Sequence, residues 1–118
     1  MKKTISTEKL HSLRKASVGF LLIDLLGRDD FAKDHIPGAR NVPADTPDFP
    51  KAVADKAAGS KTRQVVLYGR GVNCDLSAKA CKTLTNANFT NVVDYEGGLA
   101  AWNESKRARL AARAKATG

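Results

Sequence analysis

Gln64-Val65-Val66-Leu67-Tyr68-Gly69-Arg70-Gly71-Val72-Asn73-Cys74-Asp75 lies just past the middle of this 118-residue chain, and its reading decides how the rest is assembled. From Val65 to Tyr68 the run is continuously apolar with no helical period, which suits a strand buried on both faces. The glycines at 69 and 71 end it. From Cys74 or Asp75 to about Thr85, Leu76, Ala80 and Leu84 fall in one helical register. A glycine-rich turn between a strand's carboxyl end and a helix start directs several backbone N–H groups at one spot, where the helix dipole also favours negative charge. The loop Gly69, Arg70, Gly71, Val72, Asn73, Cys74 and Asp75 is therefore the candidate site, built to hold an anion or a thiolate.

Working outward, Val18 to Ile23 is a second strand of the same kind, bounded by Gly19 and Asp24, and Asn91 to Tyr95 is a third. Helical segments lie between them. Ser6 or Thr7 caps a short helix with Leu10, Leu13 and Ala16 as its apolar stripe. Arg28 to Lys33 makes one or two turns, and His35-Ile36-Pro37-Gly38 turns the chain into a short extended piece, Ala39 to Val42. Pro43, Pro47 and Pro50 mark a loop over 44–50, followed by a helix from Lys51 to Ala58 that Gly59 and Ser60 end. Gly97 and Gly98 separate the third strand from a last helix that opens at Leu99 to Trp102 and merges with the end of the chain. Strands alternating with helices predict an α/β domain, with a mainly parallel sheet covered by helices on both faces. Neither an internal repeat nor a domain linker interrupts it.

Composition sets the outer bounds. The chain is one domain's worth, 42% apolar and 27% charged, and holds no apolar run near the roughly 20 residues that cross a bilayer. Val18 to Leu26 resembles a leader only superficially: Asp24 interrupts it and no small-residue cleavage site follows. A cytoplasmic protein without membrane contact is expected. Cys74 and Cys81 are read into one helix, about 10.5 Å apart along its axis, beyond the roughly 7 Å that a disulfide bridges, so both are expected as thiols. The net charge of +8 is concentrated at the end, where Lys106, Arg107, Arg109, Arg113 and Lys115 follow Glu104 with no acid among them. With Leu110 as its only large apolar residue, this tail is expected to fray or be disordered, and its contact with nucleic acid or an acidic protein to be nonspecific at most.

Three separated pieces now resemble the signatures of one family, the rhodanese-like domains. Leu22-Ile23-Asp24 with Phe31-Ala32-Lys33-Asp34-His35-Ile36-Pro37-Gly38-Ala39-Arg40-Asn41 is similar to the family's front signature. Val65 to Tyr68 with the loop to Ser77 stands where the family keeps its active-site loop, and Asp94-Tyr95-Glu96-Gly97-Gly98-Leu99-Ala100-Ala101-Trp102 is similar to its closing signature. The resemblance covers about residues 5–104. It implies a three-layer α/β sandwich over 1–105, a basic tail over 106–118, sulfurtransferase chemistry without metal or organic cofactor, and thiosulfate or a protein persulfide as donor to a thiol acceptor. Read from the residues themselves, the prolines, glycines and Trp102 are scaffold.

In the family the first loop residue after the strand is the cysteine that carries sulfur as a persulfide, and here that place is Gly69. Cys74 matches a second cysteine found in a subset of the family, with Ser77 three residues on. A thiol at a helix start beside Arg70 is the setting that favours a nucleophilic thiolate, whereas a cysteine is also a small apolar packing residue. Cys81 reads as core. Arg70 either grips an anionic substrate such as thiosulfate or is a solvated loop charge, and Asp75 reads as an N-cap. Leu26 and Asp34 also depart from the family pattern. The first removes an arginine that would face Asp30, for which Arg28 or Arg40 would have to compensate; His35 reads as a turn residue.

Two functions follow. The chain is a sulfurtransferase or sulfur carrier through Cys74, or a noncatalytic module that holds an anion or a protein partner on the same loop. A phosphatase is disfavoured, because its thiolate is wanted where Gly69 stands.

Overall fold

The computed structural model describes residues 3–16 and 19–117. Its strands are β1 (Lys3–Thr4), β2 (Leu21–Asp24), β3 (Arg40–Asn41), β4 (Val65–Tyr68) and β5 (Val92–Asp94), and its helices are α1 (Thr7–Lys15), α2 (Arg28–Lys33), α3 (Phe49–Lys56), α4 (Leu76–Asn86) and α5 (Gly98–Thr117). All strand pairs are parallel, in the order β1-β5-β4-β2-β3. The α/β expectation holds in full.

Burial on two faces explains the unbroken apolar strands. On one face Leu21, Ile23, Val65 and Leu67 pack with Phe49 and Val53 of α3 and with Cys81 and Leu84 of α4. On the other, Leu22, Val66, Tyr68 and Val93 pack with Leu10 of α1 and Trp102 of α5. Val65 to Tyr68 are fully buried, and each such side chain contributes about 1.5–3 kcal/mol relative to exposure.

The strand order positions the site. From β2 the chain adds β3 on one side, and from β4 it adds β5 on the other, so the order reverses between β2 and β4. A crevice opens at the carboxyl ends of strands flanking such a reversal. The loop that leaves β4 lies there.

Several elements differ from their sequence expectation. α3 starts at Phe49, two residues early, with Pro50 inside its first turn; a proline there removes only an N–H that has no helical partner. β1 carried no pattern of its own. Its two residues are placed by β5, whose Asp94 carbonyl accepts from the Ile5 N–H at 3.2 Å. Cys74 precedes α4, so the two cysteines do not share a helix; no disulfide joins them. Val18, the expected start of β2, lies outside the described residues. The tail, expected to fray or be disordered, continues α5 to Thr117, and its side chains from Lys106 to Ala114 are exposed.

Candidate functional site

The frame beneath the loop is a buried polar network. Asp24, fully buried at the end of β2, accepts from the Leu26 N–H at 2.8 Å and from the Tyr68 hydroxyl at 2.6 Å. That hydroxyl oxygen in turn accepts from the Ile36 N–H at 3.0 Å. Burial, reinforced by the hydrogen bond to Asp24, pushes the Tyr68 hydroxyl far above the ordinary tyrosine range, so it stays a donor. The chain of bonds ties β2, β4 and the turn at Pro37 together. The Asn41 amide adds bonds to the Asp24 and Leu26 carbonyls at 3.1 and 2.8 Å. Sequence reasoning missed Tyr68; its signal was a phenol closing an otherwise aliphatic buried strand.

The loop itself is held by the start of α5. The Leu99 and Ala100 N–H groups donate to the Gly69 and Arg70 carbonyls at 3.0 and 2.8 Å. Gly98 makes this contact possible: its φ is +59°, and a Cβ there would lie 2.6 Å from the Gly69 oxygen and 2.7 Å from the Gly71 nitrogen. A third bond, from the Cys74 N–H to the Gly71 carbonyl at 3.0 Å, closes the turn 71–74. The Cys74 N–H is therefore not available to an anion.

Cys74 is half-buried. A Cβ built on Gly69 would stand 3.1 Å from the Cys74 Sγ, with no other contact under 3.7 Å. The thiol thus faces the space that a side chain at position 69 would fill. It also lines a groove of about 210 Å³ with Val72, Asn73, Asp75, Ser77, Ala78, Asp94 and Glu96. Ser77 is buried at its wall, and Val72 stands 79% exposed at the loop tip. Of the seven loop residues singled out from sequence, Val72 to Asp75 line this groove; Gly69 to Arg70 serve instead as the backbone that α5 holds.

Arg70, Asp75 and Asp34 each take a partner that the sequence did not assign. Arg70 pairs with Asp30 of α2 at 2.7 Å, so the partner of Asp30 is the loop arginine rather than Arg28 or Arg40. Asp75 occupies the N-cap position of α4 but makes no capping bond; its carboxylate pairs with Lys79 at 3.0 Å. Asp34 accepts from the Asn103 amide at 2.7 Å, joining α2 to α5. His35 acts as read: its Nδ1 donates to the Phe31 carbonyl at 2.7 Å while the ring stacks on Phe31.

A doubly covered parallel sheet with a candidate loop at its strand reversal defines a class of α/β proteins, and comparison with known proteins narrows it. The model of the rhodanese-like domain matches residues 6–105, and the chain belongs to that family. It is 31% identical over 87 residues to the uncharacterized protein YibN of Escherichia coli K12, an alignment covering 70% of this chain and 54% of that protein. The chain thus spans about half the length of the curated relatives it matches. The crystal structure of the Alr3790 protein of Anabaena is similar at 27% identity and a TM-score of 0.69, over 85% of each chain. The human single-domain sulfurtransferase TSTD1 shares the fold at 22% identity and a TM-score of 0.69, over 88% of this chain and 97% of that one. No helix among the described residues is long and apolar enough to cross a membrane.

Proposed function

We propose that this domain, residues 1–105, is a sulfur carrier or sulfurtransferase that works through Cys74. The direction of the thiol carries this reading: Sγ faces the side-chain space over Gly69 and lines an open groove, where a packing cysteine would point into the core. Gly69 leaves that space clear, and the loop backbone stays in place because α5 holds it.

The chemistry balances without an external oxidant. The Cys74 thiolate attacks the sulfane sulfur of thiosulfate, or the outer sulfur of a partner protein's persulfide. The S–S bond to the leaving group breaks, and sulfite or the partner thiolate departs with the electron pair. An acceptor thiolate or cyanide then takes the outer sulfur and restores Cys74. The Val72 and Asn73 N–H groups, on the part of the loop that lines the groove, hold the negative charge; Arg70's guanidinium stays on Asp30. Two thiols outside any disulfide suit a reducing compartment such as the cytoplasm, where glutathione and thioredoxin keep them reduced.

A second reading, a noncatalytic module that docks a protein on the same loop, draws on the exposed Val72 at the loop tip. One experiment separates them. The protein is incubated with thiosulfate, and in parallel with a protein persulfide, and its intact mass is read before and after reductant. A gain of one sulfur atom, reversed by reductant and absent in Cys74→Ser, is expected; no gain with either donor leaves the docking module.

A further inference from the structure

On the side of the sheet covered by α1 and α5, the two helices enclose a groove of about 490 Å³, lined by Glu8, His11, Ser12, Arg14, Lys15 and Arg109. It belongs to no part of the loop site. Arg14, Lys15 and Arg109 form no ion pair among the described residues. His11 adds no charge at neutral pH, because burial and the three cations hold it below the ordinary histidine range. Glu8 is the one acid there, so the groove is net positive.

α5 extends this charge beyond the body. Lys106 and Arg109 are one helical turn apart, and with Leu110 and Arg113 they fall on the side of α5 that includes the α1 groove, over about 10 Å of helix axis. Cations spread along a line, instead of converging on a point, fit a chain of anions. The lining contains no apolar side chain, so a peptide segment would find little to bury, and polar contacts alone contribute little affinity to a protein interface. A phosphodiester backbone binds by counterion release and needs no apolar contact. Trp102 offers no open ring for base stacking: it is buried, with His11 stacked on it at 4.2 Å and Arg14 over the ring at 5.0 Å.

We infer that the α1–α5 groove and the basic face of α5 continuing from it bind the phosphate backbone of a nucleic acid without reading its sequence. Arg14, Lys15 and Arg109 each neutralise one phosphate. The site is independent of Cys74.

The test is binding of a short fluorescein-labelled DNA duplex of mixed sequence to the full chain, followed by anisotropy between about 50 and 200 mM salt. Neutralising Arg14, Lys15 and Arg109 together to Gln is expected to weaken binding by more than about tenfold and to flatten the plot of log K against log salt by about 2.7, three contacts at about 0.9 each. A control of equal charge loss on the opposite layer, Lys51→Gln with Lys56→Gln and Lys82→Gln, is expected to stay within about twofold with its slope intact. The charge-keeping pair Arg14→Lys and Arg109→Lys retains the slope, which separates lost charge from lost packing on Trp102. Equal losses in the groove and control variants show attraction by net charge alone and overturn the inference. So does tighter binding of polyglutamate than of the duplex, which assigns the groove to an acidic protein segment.

Discussion

Gly69→Cys tests the geometry on which the function rests. The backbone at Gly69 is not in the left-handed region, so it accepts a side chain, and the added Cβ would come nearest the Cys74 sulfur, at 3.1 Å, with the Leu76 and Cys74 Cβ atoms at ordinary contact distances of 3.7 and 3.9 Å. In a disulfide, with S–S near 2.04 Å, the Cβ of one residue lies about 3.0 Å from the partner's sulfur. The introduced thiol and Cys74 are therefore set to close a disulfide with little movement. Closing a loop of six residues removes about 7 cal/mol/K from the unfolded chain, or about 2 kcal/mol at room temperature. For 118 residues, with an unfolding entropy of about 2.1 cal/mol/K each, this corresponds to a rise of about 9 °C in Tm. Intact mass after alkylation in denaturant counts the remaining thiols, and thermal unfolding with and without reductant reads the stability. One thiol, that of Cys81, and a higher Tm when oxidised are expected. An oxidised protein that still alkylates at Cys74, or that melts no higher than the reduced form, shows that Sγ does not face Gly69, and the sulfur-carrier reading loses its main support.

Other consequences follow from the same contacts. Gly98→Ala places a left-handed φ on alanine, costing about 1–3 kcal/mol, and drives a methyl into the loop backbone; urea unfolding should show the loss, and Cys74 alkylation should change rate with it, whereas an unchanged rate would mean that α5 does not hold the loop. Tyr68→Phe leaves Asp24 and the Ile36 N–H each short of a partner, a loss of about 1–3 kcal/mol seen as a lower urea midpoint at constant slope. Because the raised Tyr68 keeps its proton in the folded state, wild-type stability is complete below the unfolded tyrosine value near 10 and declines as pH rises above it. The phenylalanine variant loses that share of the decline, leaving the share from Tyr95, which burial also raises. His11 has the opposite sign: its value is lowered on folding, so stability is complete above about 6.5 and falls as pH drops. Arg109→Gln should move the His11 titration upward by NMR, and an unmoved titration would separate Arg109 from the groove.

What the sequence by itself determined is what short-range rules encode. Two-faced apolar runs at Val65 to Tyr68 and at Leu21 to Ile23 required a covered parallel sheet. The signatures around Pro37, Gly69 and Trp102 resembled one family, and residues 6–105 bear that out. Arg28 to Lys33 is a helix as read, and His35 holds its turn. What only the tertiary structure decided is where side chains with several possible partners go. By type Arg70 fits either a substrate grip or a solvated charge, and it pairs with Asp30, 40 residues away, because α2 and the loop meet at the strand reversal. The Tyr68 hydroxyl acquired a role once β2 and β4 lay side by side in register, Asp24 opposite Tyr68. Lys3 and Thr4 have no strand pattern and became β1 because β5 left an open edge. By type Cys74 fits a packing residue as well as a nucleophile. Its orientation came from the turn that Gly71 closes and from the side-chain space at Gly69, two features that no local propensity contains, since each depends on how α5 and α4 approach the end of β4.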